Sequence, residues 1–190
     1  MKKFFLLLIV FLFSYCNNTV KKQRPKDFGK LEVNTTQEHQ IQITLEETSK
    51  NHILNWREYT SVKESLTKFT TITSNEALNN ALQLSKLVKQ LKDSIRPQEL
   101  LTPSFRTRVN VLENETLRLK DMTLIRNLLS SKEIHNQVDK IMDAFSATNS
   151  KINIVYSQLE VEKEITDKTI KKTHSKSSIS SKKELLKKQL

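Results

Sequence analysis

Apolar residues recur at three- and four-residue steps through most of this chain, the spacing that lines one face of a helix. Through ILNWREYTSVKESLTKF, Ile53, Trp56, Tyr59, Val62, Leu66 and Phe69 share such a face. A capping box of Thr35 with Glu38 predicts that this first helix starts near Thr35, although QIQITL alternates like a strand. TTITSN interrupts the pattern, and Thr73 with Glu76 forms a second capping box. The second helix then carries Leu78, Ala81, Leu84, Val88, Leu91 and Ile95. RPQELLTPS ends it, and Thr102 caps a third helix with Pro103 at the first position, where a missing N–H costs nothing. That helix presents Phe105, Val109, Leu112 and Leu119 and fades at NLLSS. Ser130 with Glu133 opens the fourth, whose stripe of Ile134, Val138, Ile141, Phe145, Ile152, Val155 and Leu159 is the longest in the chain.

The pattern predicts an all-α protein. Gly29 is the only glycine and the prolines are Pro25, Pro97 and Pro103, too few turn formers for a sheet protein. Four helices with short connections pack most simply as an antiparallel, up-down-up-down bundle. The first and fourth, at about 36 residues each, reach roughly 52–56 Å, and their excess lengths emerge at one end. The alternative is one long two-helix hairpin, continuous through TTITSN and NLLSS and turning only between Pro97 and Pro103. Both arrangements bring the two chain ends together. The expected organisation is a leader over 1–16, a flexible tether over 17–35, the bundle over 36–166 and a disordered basic tail over 167–190.

The leader changes the picture most. Lys2 and Lys3 precede ten unbroken apolar residues, Phe4 to Phe13. At about 1.5 Å per residue they cover roughly 15 Å, half a bilayer core, so the run is a secretory signal and not a span. FLFSYC resembles the end of a bacterial lipoprotein signal, in which the cysteine becomes the acylated first residue of the mature chain. The resemblance covers residues 1–16 and assigns lipid attachment to Cys16. Ser14 fits the pattern, while Tyr15 stands where small side chains are usual. Ordinary cleavage after Ser14-Tyr15-Cys16 and an uncleaved anchor are the competing readings. Cys16 is the only cysteine, so no internal disulfide can form. The localisation this implies is the bacterial cell envelope, membrane-anchored and facing the periplasm or exterior.

Charge then singles out the other end. The chain carries +11, and residues 168–190 hold eight lysines against one glutamate. Lys171, Lys172, Lys176, Lys182, Lys183, Lys187 and Lys188 are the candidate contacts to an anionic surface, either lipid headgroups or acidic cell-wall polymer. The tail lacks arginine and aromatic residues for base contacts, which argues against nucleic acid.

Candidate chemistry is sparse. One glycine excludes a phosphate-cradling loop, and one cysteine excludes a cysteine-based zinc site. His39 and His52 project apart on a common helix and do not converge. His135 and Asp139, four apart, are the sole weak metal candidates. Trp56 and Tyr59 share a face, as core or as a surface for a protein partner. No catalytic constellation and no cofactor is expected. The functional expectation is a membrane-anchored envelope lipoprotein with a non-catalytic binding or scaffolding domain. The alternative is a ligand- or metal-sensing bundle.

Overall fold

The computed structural model describes residues 35–187, with side chains up to Lys171. Cys16 and the expected leader lie outside the described residues, as do the tether up to residue 34 and Lys188. Among the described residues the chain forms five α-helices and one two-stranded sheet: β1 (Thr36–Glu38), α1 (Glu47–Ile53), α2 (Arg57–Thr67), β2 (Thr71–Thr73), α3 (Ser74–Asp93), α4 (Pro103–Met122) and α5 (Ser131–Lys187). Short 3-10 turns, Gln98–Leu100 and Thr123–Leu128, join α3 to α4 and α4 to α5. The class is helical, as the apolar spacing predicts. The helix count is five and not four.

Three of the predicted helix starts are built as their sequences dictate. Thr73 accepts from the Glu76 N–H at 3.3 Å while Glu76 Oε2 accepts from the Thr73 N–H at 3.0 Å. Thr102 Oγ1 accepts from Phe105 N–H at 3.2 Å, with Pro103 opening α4. Ser130 and Glu133 satisfy each other's backbone at 3.3 and 2.8 Å. Each box satisfies N–H groups that a helix start leaves open.

The first predicted helix does not exist as one piece. Thr35 and Glu38 cap nothing: Thr36, Gln37 and Glu38 pair antiparallel with Thr73, Ile72 and Thr71. An extended stretch follows, and helix begins only at Glu47. Trp56 then breaks the helix at φ −91°, ψ 86°, because its indole N–H is drawn to the Ser94 carbonyl at 3.0 Å. QIQITL forms neither strand nor helix: the strand precedes it at Thr36–Glu38, and the segment itself is bonded to side chains of α5.

The two-helix hairpin is likewise overturned. β2 separates α2 from α3, and Ile125 leaves helical geometry (φ −119°, ψ 24°) between α4 and α5. Among the described residues no φ is positive, so these reversals use ordinary backbone and need no glycine.

The core is continuous. Val62, Leu66, Leu84, Val88, Leu91, Phe105, Leu112, Ile134, Phe145 and Ile152 are among its buried members, with Leu100 of the 3-10 turn plugging one end. α4 packs against both α3 and α5, and α2 against α3.

The first described residues and the far end of α5 lie apart. β1 pairs beside the starts of α3 and α5, and the chain then runs along α5, reaching Asn153 by Glu46. α5 continues as one helix of 57 residues to Lys187, where a disordered tail was expected from residue 167. At 1.5 Å per residue it is roughly 85 Å long, with Thr36 near its start and the basic segment at its far end. The expectation that tether and tail share an end rested on a full-length first helix, which does not form.

Candidate functional site: a polar clasp on the longest helix

One face of α5 carries polar side chains at 135, 139, 146, 149 and 153. At 100° per residue these positions fall within about 80° of one another. They grip the extended segment after β1. Ser146 Oγ accepts from the Gln42 N–H at 2.9 Å. Asn149 Nδ2 donates to the Ile43 carbonyl at 2.8 Å, and Asn153 donates to the Thr44 carbonyl at 2.9 Å. Asn153 Oδ1 also accepts from the Glu46 N–H at 3.0 Å. A lone extended segment has no ladder partner for these groups, so α5 side chains act as the missing strand. Tyr59 ties in the core by donating its O–H to Asn149 Oδ1 at 2.7 Å. Burial raises its phenol far above the usual range, so it stays a donor.

At the start of the clasp lies a hydrogen-bonded chain of titratable groups. His39 Nδ1 is 2.6 Å from Asp139 Oδ1, and His39 Nε2 is 3.1 Å from His135 Nδ1. His135 Nε2 meets Ser74 Oγ at 3.1 Å, and Ser74 in turn meets Ser131. The two imidazole centres are 5.2 Å apart with planes 23° apart, while the facing nitrogens approach to 3.1 Å. The rings therefore meet edge to edge.

An ionised carboxylate only accepts, and this orients the chain. His39 donates from Nδ1 to Asp139, so its Nε2 accepts from His135 Nδ1–H. His135 Nε2 then accepts from Ser74, which accepts from Ser131. In this order every link of the chain has a donor and an acceptor. Burial, and then the neighbouring His39, lower the His135 pKa, with Asp139 opposing.

Hydroxyl, imidazole and carboxylate follow one another as in a nucleophilic relay. Ser74, however, is 1% exposed, so its Oγ has no approach for a substrate. The open cavity beside the site, about 450 Å³, is lined by Glu38, His39, Gln40, Ile41, Thr70 and Thr71, and neither serine reaches it. The arrangement holds the segment after β1 on α5 through hydrogen bonds of His39, Gln42, Ile43, Thr44 and Glu46.

His135 and Asp139, paired in the sequence as metal candidates, are brought together, with His39 as the third member. Among the described residues no group of three or more His, Cys, Asp and Glu is arranged to hold a metal. His52 stands apart, stacked on Tyr156 with ring centres 4.2 Å apart and planes 7° apart. Burial, and then Glu99, push the Tyr156 phenol up to about 12. Trp56 and Tyr59 are enclosed, 5.8 Å apart between ring centres and packed on Phe105 and Phe145 respectively. Lys171 is exposed near the outer part of α5.

The sequence reading missed His39, Ser74, Ser131, Ser146, Asn149 and Asn153. The signal was present as a polar stripe of period 3.6 beside the apolar one, at steps of 4, 7, 3 and 4 from His135. No protein-family model matches the chain, and no curated protein or solved structure shows significant similarity to it.

Proposed function

We propose that this protein is a non-catalytic scaffold of a bacterial cell envelope. It is lipid-anchored through Cys16 near one end and presents a basic helix to an anionic partner at the other. The observation supporting this reading is the course of α5. Its first half is packed into the bundle, and from Glu160 to Lys171 every residue is exposed. Over this stretch no face is packed on the bundle, which leaves the helix to local pairs such as Lys168 with Glu164 and to a partner that it bridges to.

The outer segment carries the net +7 of residues 168–190. Each lysine contributes about 1 kcal/mol near a charged surface, and salt screens the attraction beyond about 10 Å. The start of α5, beside which β1 joins the fold, and the far end of that helix are roughly 85 Å apart, which suits a bridge between the membrane and acidic cell-wall polymer or a second anionic surface. Among the described residues no helix is long and apolar enough to cross a membrane; the attachment proposed is the acylated Cys16.

Two measurements test the reading. Labelled palmitate should enter the wild type and not Cys16→Ser; an unlabelled wild type removes the anchor. The lipidated protein should cluster anionic vesicles at low salt and lose that ability when residues 168–190 are deleted. Equal clustering by the truncated chain removes the bridge.

A further inference from the structure

Where α3 and α5 begin, the chain turns through Thr123–Leu128 with its apolar side chains facing outward. Leu124 is 84% exposed, Leu128 59% and Ile125 48%. Leu82 is also exposed, one turn beyond Asn79, whose Oδ1 accepts from the Arg126 guanidinium at 2.8 Å. That bond ties the turn to α3, and half-buried Leu129 packs against the core. Three large apolar side chains exposed within positions 124–128 are unlike the scattered apolar residues of an ordinary surface.

What precedes this end of the molecule identifies the occupant. β1 pairs with β2 immediately before Ser74, so the 34 residues ahead of Thr35 join the fold beside this turn. They include the apolar run Phe4–Phe13 and Cys16. Between Cys16 and Thr35 the chain spans at most roughly 65 Å, so a membrane-bound Cys16 keeps the tip within reach of the same bilayer.

We propose that the Thr123–Leu128 turn is a bilayer-contact site. Leu124, Ile125 and Leu128 enter the interfacial region, and Arg126 lies at the level of the phosphates, its stem among the acyl chains. The contact is weak alone and becomes effective because tethering raises its local concentration. It orients the molecule, since α5 starts at this tip and leads away from it. The biological role rests on the anchored reading; the contact itself does not require acylation.

The test uses the full chain carrying Cys16→Ser, which cannot be acylated, with a spin label at Leu128→Cys and phosphatidylcholine vesicles. On the vesicle-bound protein the label should gain access to oxygen and lose access to a water-soluble nickel chelate. A matching label at Lys163→Cys should stay in water. Leu124→Asp with Leu128→Asp should lower the partition coefficient about tenfold or more, with helicity retained. A vesicle-bound chain whose position 128 remains in water overturns the proposal. So does shielding of that label without vesicles, which would mean a second copy covers the turn. A missing palmitate label on the wild type leaves these readouts unaffected, so failure of the anchor and failure of the tip are distinguishable.

Discussion

The two halves of α5 are one helix held by different forces. From Ser131 to Leu159 each turn sends apolar side chains such as Val138, Phe145 and Ile152 into the core. The adjacent face sends His135, Ser146, Asn149 and Asn153 to the strap that crosses it. From Glu160 to Lys171 every residue of the helix is exposed, Val161, Ile165 and Ile170 among them. Its local support includes single pairs such as Lys168 with Glu164 at 3.3 Å, worth only tenths of a kcal/mol. A continuous helix is therefore not a uniform one: tertiary contacts secure the first half, and backbone propensity maintains the second.

The sharpest way to break this contrast is to remove the packing. Phe145→Ala should cost about 3–5 kcal/mol, read as a shift in urea or thermal unfolding, because the side chain is buried against Tyr59. Next in size is Asn149→Leu, which strands the Tyr59 hydroxyl and the Ile43 carbonyl and should cost about 2–4 kcal/mol. If Asn149→Leu proves neutral, the strap is not held by the clasp.

A smaller effect comes from protons. The folded pKa of His135 lies below 6.5, so beneath that pH the unfolded chain takes up a proton that the folded chain refuses. The stability due to neutral His135 is thus fully present above about 6.5 and is lost as the pH falls toward the folded value. His135→Gln should flatten unfolding free energy against pH between about 7 and 5 relative to the wild type; parallel curves would contradict it. Smallest of all, Ile165→Ala should change stability by less than about 0.5 kcal/mol, since the side chain is 59% exposed. Amide exchange should follow the same division, slow from Ile134 to Ile152 and fast beyond Glu160.

The legible parts of the fold were those decided locally. Thr73 with Glu76, Thr102 with Pro103 and Ser130 with Glu133 act within one turn, and sequence spacing alone locates them. Apolar stripes such as Leu84, Val88 and Leu91 were legible because burial follows the helical period. The segment from Thr36 to Glu46 was not, because its partners lie across the fold: Gln42 bonds Ser146, and Glu46 bonds Asn153. His39 was misread for the same reason. Placed on a helix it points away from everything, whereas next to a strand it meets His135 and Asp139. Half of the site, His135 and Asp139, was visible as an i, i+4 pair; the half that completes it came from a long-range pairing.

The unbroken course of α5 has one more consequence: the molecule carries its own ruler. Inserting or deleting seven residues between Glu160 and Lys171 would move the far end by about 10 Å and turn it by only about 20°. Four residues would also turn it by some 40°, changing which lysines face the target. The gap such a protein could span is thus written as a residue count in the outer helix, adjustable without touching the packed head.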